Sequence, residues 1–315
     1  MTRYIARRIV YAILVIWAVA TLVFFMLRLV PGDPIRAMLA DVDPAAAAAI
    51  RTKLGLDRPF HIQYLFWFRN IFQGDLGNSI YGSHQPVNRI IVEAIPRTLS
   101  LASVAFLISF SLALVTGVVS AVRKYSALDH TLTFAALIGI SMPDFWFGIL
   151  LIILFSVTLG WLPAIGYEPL SEGFWAWLRH LILPALAAGL PFSAVIARIT
   201  RSAMLEVLQA DYIKVARAKG LAERLVIGRH AFQNALIPVV TVMGIALALL
   251  ISGTVVVENV FAIKGLGRVL IQGILNRDYP VVQGAILVVS VIFVFTNLAV
   301  DVLYTVIDPR IRYES

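Results

Sequence analysis

The chain has 315 residues, of which 60% are hydrophobic and only 14% are charged. A soluble domain carries about 25% charged residues, so this composition indicates a membrane protein. The chain contains no cysteine, which excludes disulfides, thiolate metal sites and cysteine nucleophiles.

Six apolar runs are long enough to be membrane helices, which need about 20 largely apolar residues. They are residues 9–27, 99–122, 131–159, 181–197, 235–257 and 279–300, the last continuing to about residue 307. The first run is too long for the apolar part of a cleaved signal peptide and is expected to be retained. Because lipid cannot satisfy backbone polar groups, each run is expected to be helical. The sequence therefore predicts an all-α membrane protein with six transmembrane helices.

The basic residues gather on one side of these six spans. With both termini inside, the inner segments carry 14 of the 26 Lys and Arg residues but only 6 of the 18 Asp and Glu residues. The long outer loop 31–98 holds most of the remaining cations, and long loops count little in the positive-inside rule. The distribution favours an N-in/C-in orientation. The net charge of +8 is thus explained as a topology signal, without a nucleic-acid partner.

The segments outside the spans carry weaker helical patterns. In the outer loop, the aromatic residues between 66 and 72 predict a small packed or interface-lying helix. Residues 87–97 read as an amphipathic lead-in to the second span, and residues 266–275 as a short helix at the outer mouth.

The inner loop 198–234 is basic and only partly apolar, although long apolar runs flank it. Apolar residues recur at every fourth position, which predicts one apolar face of a helix: Met204, Leu208, Tyr212 and Ala216. Lys219 and Gly220 are typical of a helix C-terminus, and a second helical piece is expected from about Ala222. The loop either packs as extensions of two spans or docks into a groove on a partner.

Four stretches resemble one family of transport proteins. Residues 217–221, RAKGL, resemble the cytoplasmic loop of bacterial binding-protein-dependent ABC importer permeases. The other three resemble the first (B-type) permease subunit of the dipeptide/oligopeptide branch, which includes nickel and glutathione importers. They are RRIVYAILVIWAVATLVFFMLRLVPGDP near the N-terminus, GDLGNSI at 74–80, and LNRDYPVVQGAILVV with DVLYTVIDPRIRY near the C-terminus.

The resemblance implies a type I ABC importer permease fold in the bacterial cytoplasmic (inner) membrane and a role in importing di/oligopeptides or similar small solutes. It also implies three kinds of partner: a second homologous permease, two cytoplasmic ATPase subunits and an extracytoplasmic substrate-binding protein. ATP and Mg would be bound by the ATPases, because this chain has no P-loop motif. No catalytic residue, cofactor or metal site is expected in the chain itself.

The resemblance places an ATPase-coupling helix at residues 211–220. Its candidate residues are Asp211, Lys214, Ala216, Arg217 and Gly220. With Gly220 as anchor, Lys214 occupies the position where the family has a glutamate, so the charge is reversed. Asp211, one turn earlier, could supply a carboxylate instead.

Two acids are predicted to lie within the spans. Asp144 follows Pro143 in the third span, and Asp301 lies towards the inner end of the last. Ionisable groups in lipid usually face the bundle interior or a wet cavity, which makes Asp144, Pro143 and Asp301 candidates for the translocation path. Alternatively, Asp144 satisfies backbone groups freed by the proline, and Asp301 pairs with a neighbouring helix or an arginine.

These elements divide the chain into an N-terminal tail with the first helix (1–30), an external loop region (31–94), a permease domain (95–308) that contains the coupling loop 198–234, and a cytoplasmic tail (309–315). Two other classes of protein remain open. A self-contained secondary transporter would show inverted repeats and several paired intramembrane charges. An intramembrane hydrolase would need a nucleophile with a base, and the sequence has no G-x-S-x-G motif.

Overall fold

A computed structural model describes residues 2–29, 57–81 and 85–307. These residues form twelve α-helices: α1 Thr2–Leu29, α2 Phe60–Phe72, α3 Val87–Val122, α4 Ala127–Ser141, α5 Asp144–Leu151, α6 Phe174–Gln209, α7 Asp211–Ala218, α8 Glu223–Leu225, α9 Phe232–Gly253, α10 Val255–Val260, α11 Leu266–Leu275 and α12 Tyr279–Ile307. Two π-helical segments, Ile152–Thr158 and Val226–Ala231, extend α5 and join α8 to α9. Strand pairing in the described part is limited to one bridge between Asn78 and Pro86, and the predicted all-α class is confirmed.

Five continuous helical stretches are long and apolar enough to cross a membrane: α1, α3, α6, the stretch from α8 to α10, and α12. The predicted third span is not one continuous helix, as the sequence suggested. It consists of α4 and of α5 with its π-helical extension, and the chain bends by 109° between them. Met142, at the break, is extended (φ −87°, ψ 130°), because Pro143 disfavours the helical conformation of the residue before it.

The bent pair nevertheless crosses the membrane once. The pair runs antiparallel to α6, because successive residues contact earlier and earlier positions of that helix. The contacts are Asp129 with Arg201, Gly139 with Leu190, and Trp161 with Arg179. Residues 179 and 201 are about 33 Å apart along the helix at 1.5 Å per residue. The hydrocarbon core of a bilayer is about 30 Å thick. The described helices therefore make six crossings, as predicted, with residues 2 and 307 on the same side.

Helix α6 is longer than the predicted span 181–197. It has 36 residues and includes both Pro184 and Pro191 in its interior. Neighbouring helices can re-satisfy the backbone groups that prolines free inside a membrane, so these prolines did not set its ends. The helix therefore extends into the predicted inner loop 198–234.

Helices α3 and α6 form the centre of the bundle and approach closely at two glycines. A β-carbon on Gly117 would lie 2.6 Å from the β-carbon of Thr200, and one on Gly189 would lie 2.5 Å from Oγ of Ser109. Small residues permit such close helix packing in membranes. The absence of a side chain at these two positions therefore determines the distance between the helices.

Gly189→Ala is expected to lower the free energy of unfolding by about 1–3 kcal/mol, the usual cost of overpacking a filled core. The added methyl group would meet the backbone oxygen of Ala105 at 2.8 Å, which cannot move aside as a side-chain tip can. Thermal unfolding in detergent measures the effect. Gly253→Ala is the matched control, because nothing lies within 4 Å of its added carbon. Equal stability of the two variants would contradict the close approach.

Helices α1 and α2 lie beside this bundle. Arg8 of α1 forms an ion pair with Asp301 of α12 at 2.8 Å, which confirms the pairing expected for Asp301. The predicted aromatic helix is α2. The Tyr64 hydroxyl lies 2.7 Å from the Thr21 hydroxyl, and the Tyr64 ring packs edge-on against buried Phe24. The first span is thus connected to the rest of the described chain at both of its ends.

The predicted boundaries can be placed only in part. The division between residues 31–94 and 95–308 falls inside α3, and it stays a prediction. Residues 31–56 of the external loop region and the tail 309–315 lie outside the described residues.

Candidate functional site

The inner loop folds into a sharp corner between α6 and α9. Helix α6 ends at Gln209, Ala210 is extended (ψ 147°), and α7 then runs over Asp211–Ala218. Gly220 has φ +76°, a left-handed conformation that glycine adopts without steric cost, so the predicted helix end is confirmed. The single helical face predicted from Met204 to Ala216 is wrong, because the chain turns at Ala210. Alanine is the strongest helix former, so composition did not indicate this turn.

The turn changes which residues of α7 are buried. Ile213 is fully buried and Ala216 is 8% exposed, whereas Tyr212 is 45% exposed. The buried pair packs in one apolar cluster with residues from α3, α6, the π-helical segment and α9: Ala121, Met204, Val226, Ala231 and Ala235. Ile213 was missed by the sequence analysis because the fourfold spacing pointed to Tyr212. The corner is therefore held by several helices of the bundle at once.

The opposite side of the corner is exposed and apolar. Four large side chains on this corner surface are between 38% and 52% exposed: Tyr212, Val215, Leu221 and Leu225. Basic residues lie among them, including Lys214 and Arg217. Clustered apolar residues with a polar rim are typical of protein-binding surfaces.

Two ion pairs cross the corner surface. Lys214 bonds to Asp211 at 2.8 Å, so the lysine that replaces the family's glutamate is neutralised by the acid one turn earlier. Arg217 bonds to Glu223 at 2.6 Å and joins the two sides of the turn at Gly220. The hydrogen bonds that Arg217 donates to the Glu223 carboxylate raise the pKa of the Arg217 guanidinium. All five predicted coupling residues lie on this corner, and their role in coupling stays a prediction.

A buried ion pair that the sequence analysis missed lies at the same end of the bundle. Asp129 is 2% exposed, and both of its carboxylate oxygens accept hydrogen bonds from Arg201 at 2.8 Å. The Ser120 hydroxyl and the Tyr125 N–H also donate to this carboxylate. The pair therefore joins α3, α4 and α6. Its sequence signal is a helix start, because Ser126 three residues before Asp129 caps α4.

A second buried acid holds the outer helix α11. Glu258 is fully buried and accepts hydrogen bonds from the Thr98 hydroxyl at 2.6 Å and the Arg268 N–H at 3.1 Å. Thr98 in turn accepts from the Leu266 N–H at 2.8 Å. An acid at a helix N-terminus is stabilised by the exposed N–H groups there. The predicted helix 266–275 is confirmed, and a gating role for it stays a prediction.

The family-like stretches GDLGNSI and LNRDYP contact each other. Asp278, from LNRDYP, accepts hydrogen bonds from the Ser79 hydroxyl and the Ile80 N–H, both from GDLGNSI. Gly74 and Leu76 of the same motif bond to the side chain of Asn88 on α3. The motifs thus form one junction between α3 and α12.

The path candidates are not gathered into one site. Asp144 is the first residue of α5, next to the break and not in the middle of a continuous helix, and it accepts a hydrogen bond from the Phe145 N–H at 2.8 Å. Pro143 precedes it at the same break. Asp301 pairs with Arg8 at the α1–α12 contact. A role for any of these three residues in translocation stays a prediction.

The described molecule is a multi-pass helical bundle with an apolar, partly basic corner at one end, and comparisons with known proteins assign it to a family. Residues 113–313 match the family model described as "Binding-protein-dependent transport system inner membrane component". Residues 1–102 match the model described as "Binding-prot-dependent transport system membrane comp, N-term". The chain belongs to this family.

Curated relatives agree with this assignment, and a solved structure shares the fold. The chain is 48% identical over 315 residues to a putative peptide transport system permease protein of Brucella abortus (strain 2308), covering 100% of both. It is 43% identical over 336 residues to the di/tripeptide transport system permease protein DppB of Pseudomonas aeruginosa (strain UCBPP-PA14), covering 100% of both. The fold is similar to a chain of the MetNI methionine ABC transporter in inward facing conformations. The TM-score is 0.58 at 20% identity, over 70% of this chain and 96% of that one.

This chain is therefore a permease subunit of a binding-protein-dependent ABC importer, with the type I importer permease fold, in the bacterial inner membrane. The resemblance carried by the four sequence stretches is confirmed. The alternatives of a self-contained secondary transporter and an intramembrane hydrolase are set aside by the family. Permeases of this family work together with other components of the transporter and are not themselves catalytic.

Proposed function

We propose that this permease imports di- or oligopeptides. Support comes from the names of its full-length relatives, which include a peptide and a di/tripeptide transport system permease. In this proposal both termini lie in the cytoplasm, as the positive-inside rule favours. A second, similar permease completes the path, two cytoplasmic ATPase subunits bind ATP and Mg, and an external binding protein delivers the peptide.

The corner surface is the proposed contact with an ATPase subunit, and its geometry is the observation that supports this coupling role. Its exposed side offers Tyr212, Val215 and Leu225 to a groove on a partner, which is how short helices are commonly recognised. Its buried side is fixed by Ile213 and Ala216 in a cluster shared with α3, α6 and α9. A displacement of α7 would therefore move several spans together, which is what coupling of ATP hydrolysis to transport requires.

Val215→Asp is expected to weaken binding of the ATPase subunits by about tenfold or more. Val215 is 52% exposed, so the change should not affect folding. Loss of an interface anchor costs more than about 1 kcal/mol, and about 1.4 kcal/mol corresponds to tenfold. Co-purification of the ATPases with the permease, both produced together, measures the effect. Val92→Asp is the matched control, because Val92 is 65% exposed at the opposite end of the bundle. Equal recovery of ATPases with both variants would refute the contact.

Gly220→Pro is expected to abolish ATP-dependent uptake of a labelled dipeptide into vesicles that contain the whole transporter. Proline fixes φ near −65°, whereas Gly220 has φ +76° and donates its N–H to the Arg217 carbonyl at 2.9 Å. The corner would be distorted while the spans remain inserted. Large side chains at Ala216 should have the same effect, because this residue is buried in the shared cluster. Gly228→Ala is the control, since its added carbon meets nothing within 4 Å. Normal uptake by Gly220→Pro would argue against a coupling role.

A further inference from the structure

A cavity opens between α3, α4 and α6 beside the buried ion pair of Asp129 and Arg201. It has a volume of about 200 Å³ and a mostly apolar lining, which includes Leu132 and Ile140 of α4. These two residues are about 12 Å apart along the helix at 1.5 Å per residue. One leaflet contributes about half of the 30 Å hydrocarbon core. The part of α4 that lines the cavity is therefore nearly as long as one leaflet is deep.

Two arginines stand at one end of this cavity. Arg201 uses Nε and Nη2 to bond Asp129, which leaves the N–H groups of its Nη1 for another acceptor. Arg198 is exposed and lines the same end. Within the described part of the chain it forms no hydrogen bond or ion pair. The guanidinium group offers five N–H donors and binds phosphate in a bidentate way. A mostly apolar cavity therefore ends in a positive charge that forms no ion pair with the residues that the structure describes.

We propose that this cavity binds an anionic phospholipid of the cytoplasmic leaflet. Its phosphate contacts Arg198 and Nη1 of Arg201, and one acyl chain lies along α4. Charge complementarity favours this occupant, because anionic lipids are enriched in that leaflet and basic pockets between membrane helices bind their headgroups. The leaflet assignment rests on the orientation in the proposed function, whereas the lipid contact itself does not. The bound lipid would pack directly beside the ion pair that joins α3, α4 and α6.

Native mass spectrometry of the full-length permease in detergent tests this contact. Phosphatidylglycerol is expected to be retained in preference to phosphatidylcholine, and Arg198→Gln should lower its retention by about tenfold, in line with the loss of a charge-assisted hydrogen bond. Arg123→Gln is the matched control, because Arg123 is exposed, directly follows the last residue of α3 and does not line the cavity. Equal retention of the two lipids, or undiminished phosphatidylglycerol on Arg198→Gln, would overturn the proposal.

A second measurement identifies what covers the cavity. The chain has no cysteine, so Ala136→Cys places a single thiol on the cavity wall. Phosphatidylglycerol added to lipid-stripped protein is expected to slow maleimide labelling of this thiol, and inorganic phosphate is not. Protection by inorganic phosphate alone would identify a free anion as the ligand. Protection in the assembled transporter without lipid would identify a partner subunit. Either result would overturn the lipid assignment, and neither depends on which solute is transported.

Discussion

Asp129→Asn is expected to lower the free energy of unfolding of the permease by about 3 kcal/mol. Removing one partner of a buried ion pair typically costs about 3–5 kcal/mol, because the other charge loses its compensation. The Asp129 side chain is 2% exposed, but that of Arg201 keeps 28% exposure, so water compensates part of the loss. Asparagine has the shape of aspartate, so packing would be preserved and the effect would report on the charge.

Thermal unfolding of the purified permease in detergent measures this difference. Asp211→Asn is the matched control, because it makes the same change in the ion pair with Lys214, where the acid is 94% exposed. A surface substitution of this kind usually changes stability by less than about 0.5 kcal/mol. Similar destabilisation by the two variants would show that burial of the Asp129 pair is not what stabilises the bundle. A double-mutant cycle with Arg201→Gln isolates the pairwise energy.

Glu258→Ala is expected to lower the free energy of unfolding by about 2–4 kcal/mol. The change leaves the Thr98 hydroxyl and the Arg268 N–H without their buried acceptor, and each such loss costs about 1–3 kcal/mol. The damage should be local. Helix α11 would lose the group that fixes its N-terminus, so amide hydrogen exchange should accelerate there more than in α3 or α6.

A variant of the same shape distinguishes the loss of the hydrogen-bond acceptor from the loss of side-chain volume. Glu258→Gln keeps one oxygen and most of the side-chain shape, so it should destabilise less than Glu258→Ala. Glu93→Ala is the control on the solvent side, because the Glu93 side chain is 53% exposed. Unchanged exchange in α11 of the Glu258→Ala variant would show that this helix is held by its apolar contacts alone.

The sequence was sufficient for the number of spans and for several short helices, because both depend on local patterns. Apolar runs located six crossings, and the glycine at 220 located the end of α7. The bend at Pro143 shows the limit of this reasoning. The proline was visible, but a single helix and a broken one have the same apolar composition, and only the packing of α4 and α5 along α6 distinguishes them.

The buried charges could not be predicted for a different reason. Asp129 and Arg201 are 72 residues apart, and Thr98 and Glu258 are 160 residues apart. Counting charges by loop places each of these acids on one side of the membrane but does not give it a partner. The turn at Ala210 could not be predicted either, because alanine itself favours a helix. The burial of Ile213 by other helices determines which face of α7 points into the bundle, and this burial depends on the tertiary structure.

The contact between Ser79 and Asp278 affects how this permease can be recombined with its relatives. The two motifs are 199 residues apart, yet each satisfies polar groups of the other. A hybrid that takes its first hundred residues from one parent and the remainder from another would combine the two motifs from different proteins, so their hydrogen bonds need not form. Crossover points are therefore best chosen so that both motifs are inherited from a single parent.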